Sequence, residues 1–405
     1  MKLTIVPNEF KKAAKVLQLI KVHGFDAYFV GGSVRDALLD KPIHDVDIAT
    51  SAYPAEIKQI FPRTIDVGIE HGTVLALVDD EQYEITTFRA ESTYQDFRRP
   101  DEVTFVRSLK EDLKRRDFTI NALALEENGE IIDLFDGLED LSKKVIRAVG
   151  NPRERFHEDA LRMMRALRFA SQLDFAIERE TLDAIETYHP LLAKISVERI
   201  TIEFTKLLLG ANRRRAIQAF VLTECYQYCP GLRRYGTQLL NFSDLPADPL
   251  ETSAQAWTLL LYILGLEADK IRSFLKEWKL SNQLIQSIST LLWGLRFRLV
   301  QAWTPMTLYQ LGVDNAQAIE KLLPYFGKQA DLVELKKQVE QLPIRKRQQL
   351  AISGSDLLLI FSEKPGKWVG SLLDQVETAV VQQQVENQRE ALLQFAQQKR
   401  KEDKA

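Results

Sequence analysis

Cysteine is almost missing: only Cys225 and Cys229 occur among 405 residues. Two thiols make neither a disulfide framework nor, alone, a zinc site. They are expected to stay reduced, packed as small hydrophobes on or near a helix. No apolar run reaches the ~18 residues needed to cross a bilayer. The opening MKLTIVPNEFKKAAKVL is charged early and lacks the long apolar core of a secretory signal, so a cytoplasmic protein with no membrane partner is expected. An excess of basic charge is also absent. Lys and Arg number 54 against 57 Asp and Glu, a net charge of −3, so any nucleic-acid surface has to be a local patch. There is no repeat of fixed period, and the one biased segment is a glutamine-rich C-terminal helix ending in QQKRKEDKA. What is present is ordinary for a folded globular chain, 45% hydrophobic and 27% charged. At roughly 100–200 residues per domain the length suggests about two to four domains.

The two parts of the chain read differently. From about residue 25 to 150, short β-branched runs at 25–30, 45–49, 73–78, 83–88, 103–106 and 131–134 read as strands. Helical patterns at 33–39, 55–61 and 108–115 lie between them, the last opened by a capping-box signature at Ser108 and Glu111. After residue 150 long amphipathic stretches take over, at 154–171, 179–188, 197–209 and 213–222 and on to the C-terminus. All five tryptophans lie there, read as core packing of helices. The expected class is α+β: a mixed head over 1–150, then helical segments over 151–215, 216–300 and 301–405.

Four segments carry chemistry. GGSVRD, residues 31–36, follows an apolar strand, and two glycines opening a helix let backbone N–H groups approach an anion. Arg35 sits one step into that helix. Next, Asp45 and Asp47 alternate, so both carboxylates project to one face if the segment is a strand. Like charges on one face repel unless a cation joins them, and Mg²⁺ suits carboxylates shared with phosphate oxygens. Glu84 on a later strand is a third candidate. The third segment, RRDFTINA at 115–122, places Arg116 before an apolar run read as a packed helix.

The fourth, EDALRMMRALR at 158–168, reads as one strong helix with Asp159 and Arg162 neighbours at i, i+3. An Asp accepting from an exocyclic amine beside an Arg donating to a ring nitrogen or carbonyl suits cytosine and adenine, and mispairs with uracil and guanine. Arg165 and Arg168 continue at three-residue spacing, which drifts about 60° per step, so Arg165 faces the same site and Arg168 sits farther round.

With these segments in order, the chain closely resembles the class II tRNA nucleotidyltransferases, the bacterial CCA-adding enzymes. GGSVRD with HDVDIAT resembles the family's motif A, EITTFR the next strand motif, RRDFTINAL motif C and EDALRMMRALRF the nucleobase-reading motif D. SVERITIEFTKLLLG, residues 196–210, resembles motif E, which braces the neck helices. The resemblance implies a seahorse of head, neck, body and tail, and template-independent addition of C, C and A to the 3′ end of tRNA from CTP and ATP. It implies that Asp45 and Asp47 hold two Mg²⁺, with Glu84 a further catalytic carboxylate. Gly32 and Arg35 would hold the triphosphate, and Arg116, Asp159, Arg162, Arg165 and Arg168 the incoming nucleotide. A polar segment at 89–102 resembles the family's flexible loop. The family also suggests a homodimer. The patches at 213–215, 233–234 and 345–347 are candidate phosphate contacts for tRNA. The alternatives are a poly(A) polymerase, a CC-only or A-only enzyme of the same class, or a non-catalytic tRNA-binding protein.

Overall fold

The computed structural model describes residues 1–91 and 103–403. The chain divides into two compact units, residues 1–249 with 277–279, and residues 250–276 with 280–405.

The first unit opens with helix α1 (Asn8–Val22), whose Phe10, Ala13, Val16, Leu17 and Ile20 recur at helical spacing and are all fully buried. Strands β1 (Ala27–Val30) and β2 (Asp47–Thr50) flank helix α2 (Gly32–Leu38), and helix α3 (Pro54–Ile60) leads to β3 (Thr64–Gly68), β4 (Thr73–Val78) and β5 (Glu81–Thr87). The β4–β5 turn places Asp79 and Asp80 at φ 49° and 63°, the left-handed pair that a two-residue hairpin requires. A short ladder joins β6 (Arg89–Glu91) to β7 (Val103–Phe105). Most of the segment read as a flexible loop, residues 92–102, lies outside the described residues. Helix α4 (Leu109–Lys114) then precedes β8 (Leu123–Leu125), β9 (Ile131–Asp133) and helix α5 (Gly137–Lys143). The main sheet has the order β3-β4-β5-β2-β1-β8-β9, mixed because β2 runs parallel to β5.

The helical remainder of this unit comprises α6 (Pro152–Glu158), α7 (Leu161–Leu173), α8 (Arg179–Tyr188), α9 (Val197–Leu209), α10 (Arg213–Leu222) and a helix at Gly236–Ser243. Gly210 ends α9 so close to Ser171 that any Cβ would overlap it. The Ser171 hydroxyl donates to the Leu207 carbonyl at 2.7 Å, tying α7 to α9.

The second unit is helical. In it the carboxylate of Glu320, 1% exposed, accepts from Arg298 Nε (2.7 Å), Trp303 Nε1 (2.8 Å) and the Asp331 amide (3.0 Å). A further cluster packs Leu357, Leu372, Val376, Val380 and Leu392. Among the described residues no helix is long and apolar enough to cross a membrane.

The α+β class with a sheet-bearing head and a helical remainder is as expected, and several local expectations are corrected. The apolar run after RRD is a 3₁₀ turn at Thr119–Asn121 followed by strand β8, paired with β1, rather than a helix. Its residues are buried throughout, which removes the alternation that would mark a strand. Strand β3 went unrecognised because it is an edge strand with three of five residues exposed. Ser108 starts α4 but makes no capping hydrogen bond. Of the tryptophans, Trp257 and Trp278 are core residues, whereas Trp293 is 44% exposed. Cys225 and Cys229 are free buried thiols as expected, and burial pushes Cys225 up to about 12.

Candidate active site

Three carboxylates gather at one end of the sheet. Val30, at the end of β1, lies opposite Asp47, and Ile48 pairs with Ile85 on β5. Both isoleucines point into the core, 1% and 0% exposed, so the residues just before them, Asp47 and Glu84, turn to the other face. Asp45 falls in the loop ahead of β2, a correction to the strand expected at 45–49. Its charge still reaches Asp47. Asp47 keeps solvent exposure at the start of β2. Burial, reinforced by the charges of Glu84 and Asp45, pushes its carboxyl above the ordinary range, and the Arg116 guanidinium opposes that rise.

The turn between β1 and α2 closes over this end. Gly31 has φ 75° and ψ −137°, a region that is essentially glycine's own. A Cβ there would stand 3.1 Å from Arg116 Nη1 and 3.4 Å from Asp47 Oδ2, whereas at Gly32 it would meet only Arg35 Nη2 at 3.6 Å. Gly31 is thus the glycine that lets Arg116 and Asp47 approach the turn. Its backbone strain is invisible in the string GG.

Arg35 is 8% exposed and donates from Nη1 to Asn121 Oδ1 at 2.7 Å and from Nε to Asp36 at 2.9 Å. Arg116 donates to Asp112 at 3.0 Å, and Arg115 shares the same carboxylate at 2.8 Å. Burial of Asp112 would raise its pKa, but the two guanidiniums outweigh that and hold it low. The amide of Arg89, at the start of β6, also donates to Asp112, at 3.4 Å.

The segment expected to be one helix over 154–171 is broken. α6 stops at Glu158, Asp159 is extended at φ −139° and ψ 102°, and α7 starts at Leu161. The Asp159 carboxylate takes the Leu161 amide at 3.0 Å, the local side-chain bond by which Asp competes with helix. Asp159 and Arg162 are therefore not i, i+3 partners on one helix face. Arg162 pairs with Glu158 (2.6 Å) and donates to the Arg115 carbonyl (2.8 Å). Asp159 is gripped by Arg199 through both oxygens, at 2.7 and 3.3 Å. Arg165 pairs with Asp117 at 2.6 Å, and Arg168 with Glu203 at 3.1 Å. Burial opposes ionisation of Asp117, yet Arg165 and the Asn121 amide hold its carboxyl far below the usual range. Burial lowers Arg168 to about 10. Instead of diverging, Arg165 and Arg168 converge on Glu203 and on the ring of Phe169.

Arg199 and Glu203 were missed as individual residues. They stand four apart on α9, so they share one face, and the signal was available as R-x-x-x-E inside the segment that resembles motif E. Asn121 was missed because it was read as part of an apolar helix. Of the basic patches, Arg213 is buried against the Pro246 and Asp248 carbonyls, Arg214 pairs with Asp244, and Arg347 is engaged by Asp374 and Glu377. Arg233 and Arg234 are exposed.

Residues 27–147 match the family described as Poly A polymerase head domain, 174–235 the RNA and SrmB-binding site of polymerase A, and 249–396 tRNA nucleotidyltransferase domain 2. A CCA-adding enzyme of Enterococcus faecalis is 66% identical over 99% of this chain and 98% of its own length. One from Streptococcus pneumoniae is 49% identical over 99% of this chain and all of its own. The crystal structure of the Bacillus stearothermophilus CCA-adding enzyme in complex with CTP superimposes with a TM-score of 0.91 at 41% identity, covering 98% of this chain and 99% of that one. This chain belongs to the CCA-adding enzymes, a metal-dependent family of tRNA nucleotidyltransferases.

Proposed function

We propose that this protein adds C, C and A to the 3′ end of tRNA from CTP and ATP, with Asp45 and Asp47 holding two Mg²⁺ ions. The observation that carries the reading is the meeting of Asp45, Asp47 and Glu84 beside the Gly31 turn, with Arg116 the guanidinium charge acting on Asp47. Among the described residues no three Asp, Glu, His or Cys groups form a closed metal cage. Mg²⁺ takes one or two carboxylates and completes its shell with water and substrate phosphates, so the proposal needs only Asp45 and Asp47 from the protein. When bound, the ions lower the pKa of the attacking hydroxyl and neutralise charge on the leaving pyrophosphate.

The protein's own groups position the reactants. Gly32 and Arg35 hold the triphosphate, Arg116 holds the incoming nucleotide beside Asp47, and Glu84 adds a third carboxylate. Asp159 and Arg162 read the base. A carboxylate has about four lone-pair sites, so Asp159 can accept from an exocyclic amine while Arg199 keeps it aimed. Uracil and guanine present a carbonyl there and set acceptor against acceptor, a mismatch that can cost up to ~10⁴–10⁵ in rate. Arg165 and Arg168 support the ribose and phosphates. Arg233 and Arg234 contact tRNA phosphates, the protein works as a homodimer, and it does so in the cytoplasm.

The test is extension of a tRNA lacking its last three nucleotides, with Mg²⁺ and CTP, ATP or both. Addition of two C from CTP alone, and of CCA and no more from both, supports the reading. Long A tails would make it a poly(A) polymerase, and no extension in any mixture would leave tRNA binding.

A further inference from the structure

Three guanidiniums of the proposed nucleotide site converge on one aromatic ring. Phe169 on α7 is 4% exposed. The Arg168 Cζ lies 4.1 Å from its ring centroid, Arg35 Cζ 5.0 Å and Arg165 Cζ 5.5 Å, all inside the ~6 Å range of cation–π attraction. Arg35 comes from the strand–turn–helix of the head, and the other two from α7, so the ring is where the two nucleotide-holding elements meet. Phe118, one residue after Asp117, packs against the ring edge at 5.8 Å and fixes its tilt.

Geometry separates what the ring does from what the acids do. Stacking occupies the flat face of a guanidinium and leaves its in-plane N–H donors free, whereas Asp36, Asp117 and Glu203 consume donors. Arg168 shows the consequence. It is 8% exposed and pairs with Glu203, and its Nε is buried without a hydrogen-bond partner among the described residues. An unused buried N–H is costly, and one beside two further guanidiniums is poised for an anionic oxygen.

Resting on the nucleotide site proposed above, we infer that Phe169 is a positioning residue for nucleotide binding: cation–π contact with its ring holds Arg35, Arg165 and Arg168 in place, so that the N–H donors not taken by Asp36, Asn121, Asp117 and Glu203 are kept for the phosphate and ribose oxygens of the incoming CTP or ATP. Phosphate and ribose are common to CTP and ATP, so the ring serves both nucleotides alike.

The experiment compares Phe169→Leu, Phe169→Tyr and Phe10→Leu in the full-length protein, measuring KM and kcat for CTP and ATP on tRNA together with Tm. Phe10 is a fully buried ring packed on Phe29 in the head, and its variant reports loss of core packing alone. Phe169→Leu is expected to raise KM about 10-fold for both nucleotides, the scale of several partly desolvated cation–π contacts, with kcat within about threefold and the choice between C and A unchanged. Phe169→Tyr keeps the face and is expected to stay within about twofold of wild type, while Phe10→Leu lowers Tm and leaves KM alone. Unchanged KM in Phe169→Leu, or equal losses in the Tyr and Leu variants, would overturn the inference and leave the site reading standing. A wild-type protein that uses neither nucleotide would overturn both.

Discussion

The carboxylate end of the sheet and the arginine-rich start of α7 are both crowded with charge, but they solve the crowding in opposite ways. Around α7 the charges are paired within the protein: Arg162 with Glu158, Asp159 with Arg199, Arg165 with Asp117, and Arg168 with Glu203. At the sheet, Asp45 and Glu84 act on Asp47 with the same sign, and Arg116, itself shared with Asp112, is the cation that opposes them there. The first arrangement is preorganised, as discrimination between bases requires. The second leaves like charges facing one another, which fits the proposal that this end recruits cations together with its substrate.

The comparison can be broken most severely at the sheet. Removing both carboxylates, Asp45→Ala with Asp47→Ala, is expected to lower primer-extension rate by about 1,000-fold or more, since ions held there as proposed would supply several kcal/mol of transition-state stabilisation. Tm should not fall, because the substitutions relieve repulsion. Next comes the α7 side. Arg199→Met should lower kcat/KM for CTP by about 10- to 100-fold, the scale of a charged hydrogen bond, and should raise misincorporation of UTP in a nucleotide-competition assay. A variant that slows all four nucleotides equally would deny Arg199 any part in selection.

Gly31→Ala is a milder insult, acting through backbone rather than charge. Forcing a Cβ into its φ 75° position should cost about 1–3 kcal/mol in urea unfolding and raise KM for nucleotide through Arg116.

The paired region has a pH signature. Asp117 and Asp112 have folded-state pKa values below their unfolded ones. Their contribution is therefore complete above the unfolded value of about 4 and is lost only as pH falls through the folded values. The stability gap between wild type and Asp117→Asn should stay constant from pH 7 to about 4 and shrink below that. The smallest effect belongs to Arg233→Ala with Arg234→Ala: unchanged kcat and Tm, with the slope of log K for tRNA against log salt reduced by about 2.

Much of this was legible in the sequence, and unevenly so. The residues at the sheet end could be named because GGSVRD, DVD and EITTFR carry their chemistry in short strings. What could not be read was that Asp45 sits outside its strand, or that Gly31 rather than Gly32 occupies the strained position, since both depend on where β2 and α2 begin. On α7 the residue types were visible, yet the partners were not. Asp159 breaks its helix by capturing the Leu161 amide, and its ion-pair partner Arg199 comes from 40 residues downstream. Arg165 and Arg168 were separated by ideal helical geometry, yet Phe169 and Glu203 bring them together. Long-range pairing of charges is tertiary information, and no local pattern encodes it.

The most direct measurement is the Tm of wild type and Asp47→Asn across a Mg²⁺ titration, with and without CTP. If the sheet end awaits cations, Mg²⁺ with CTP should raise the wild-type Tm well beyond CTP alone, and should do so little or not at all in Asp47→Asn. Equal stabilisation of both proteins by Mg²⁺ and CTP would contradict the claim that these carboxylates hold the metal.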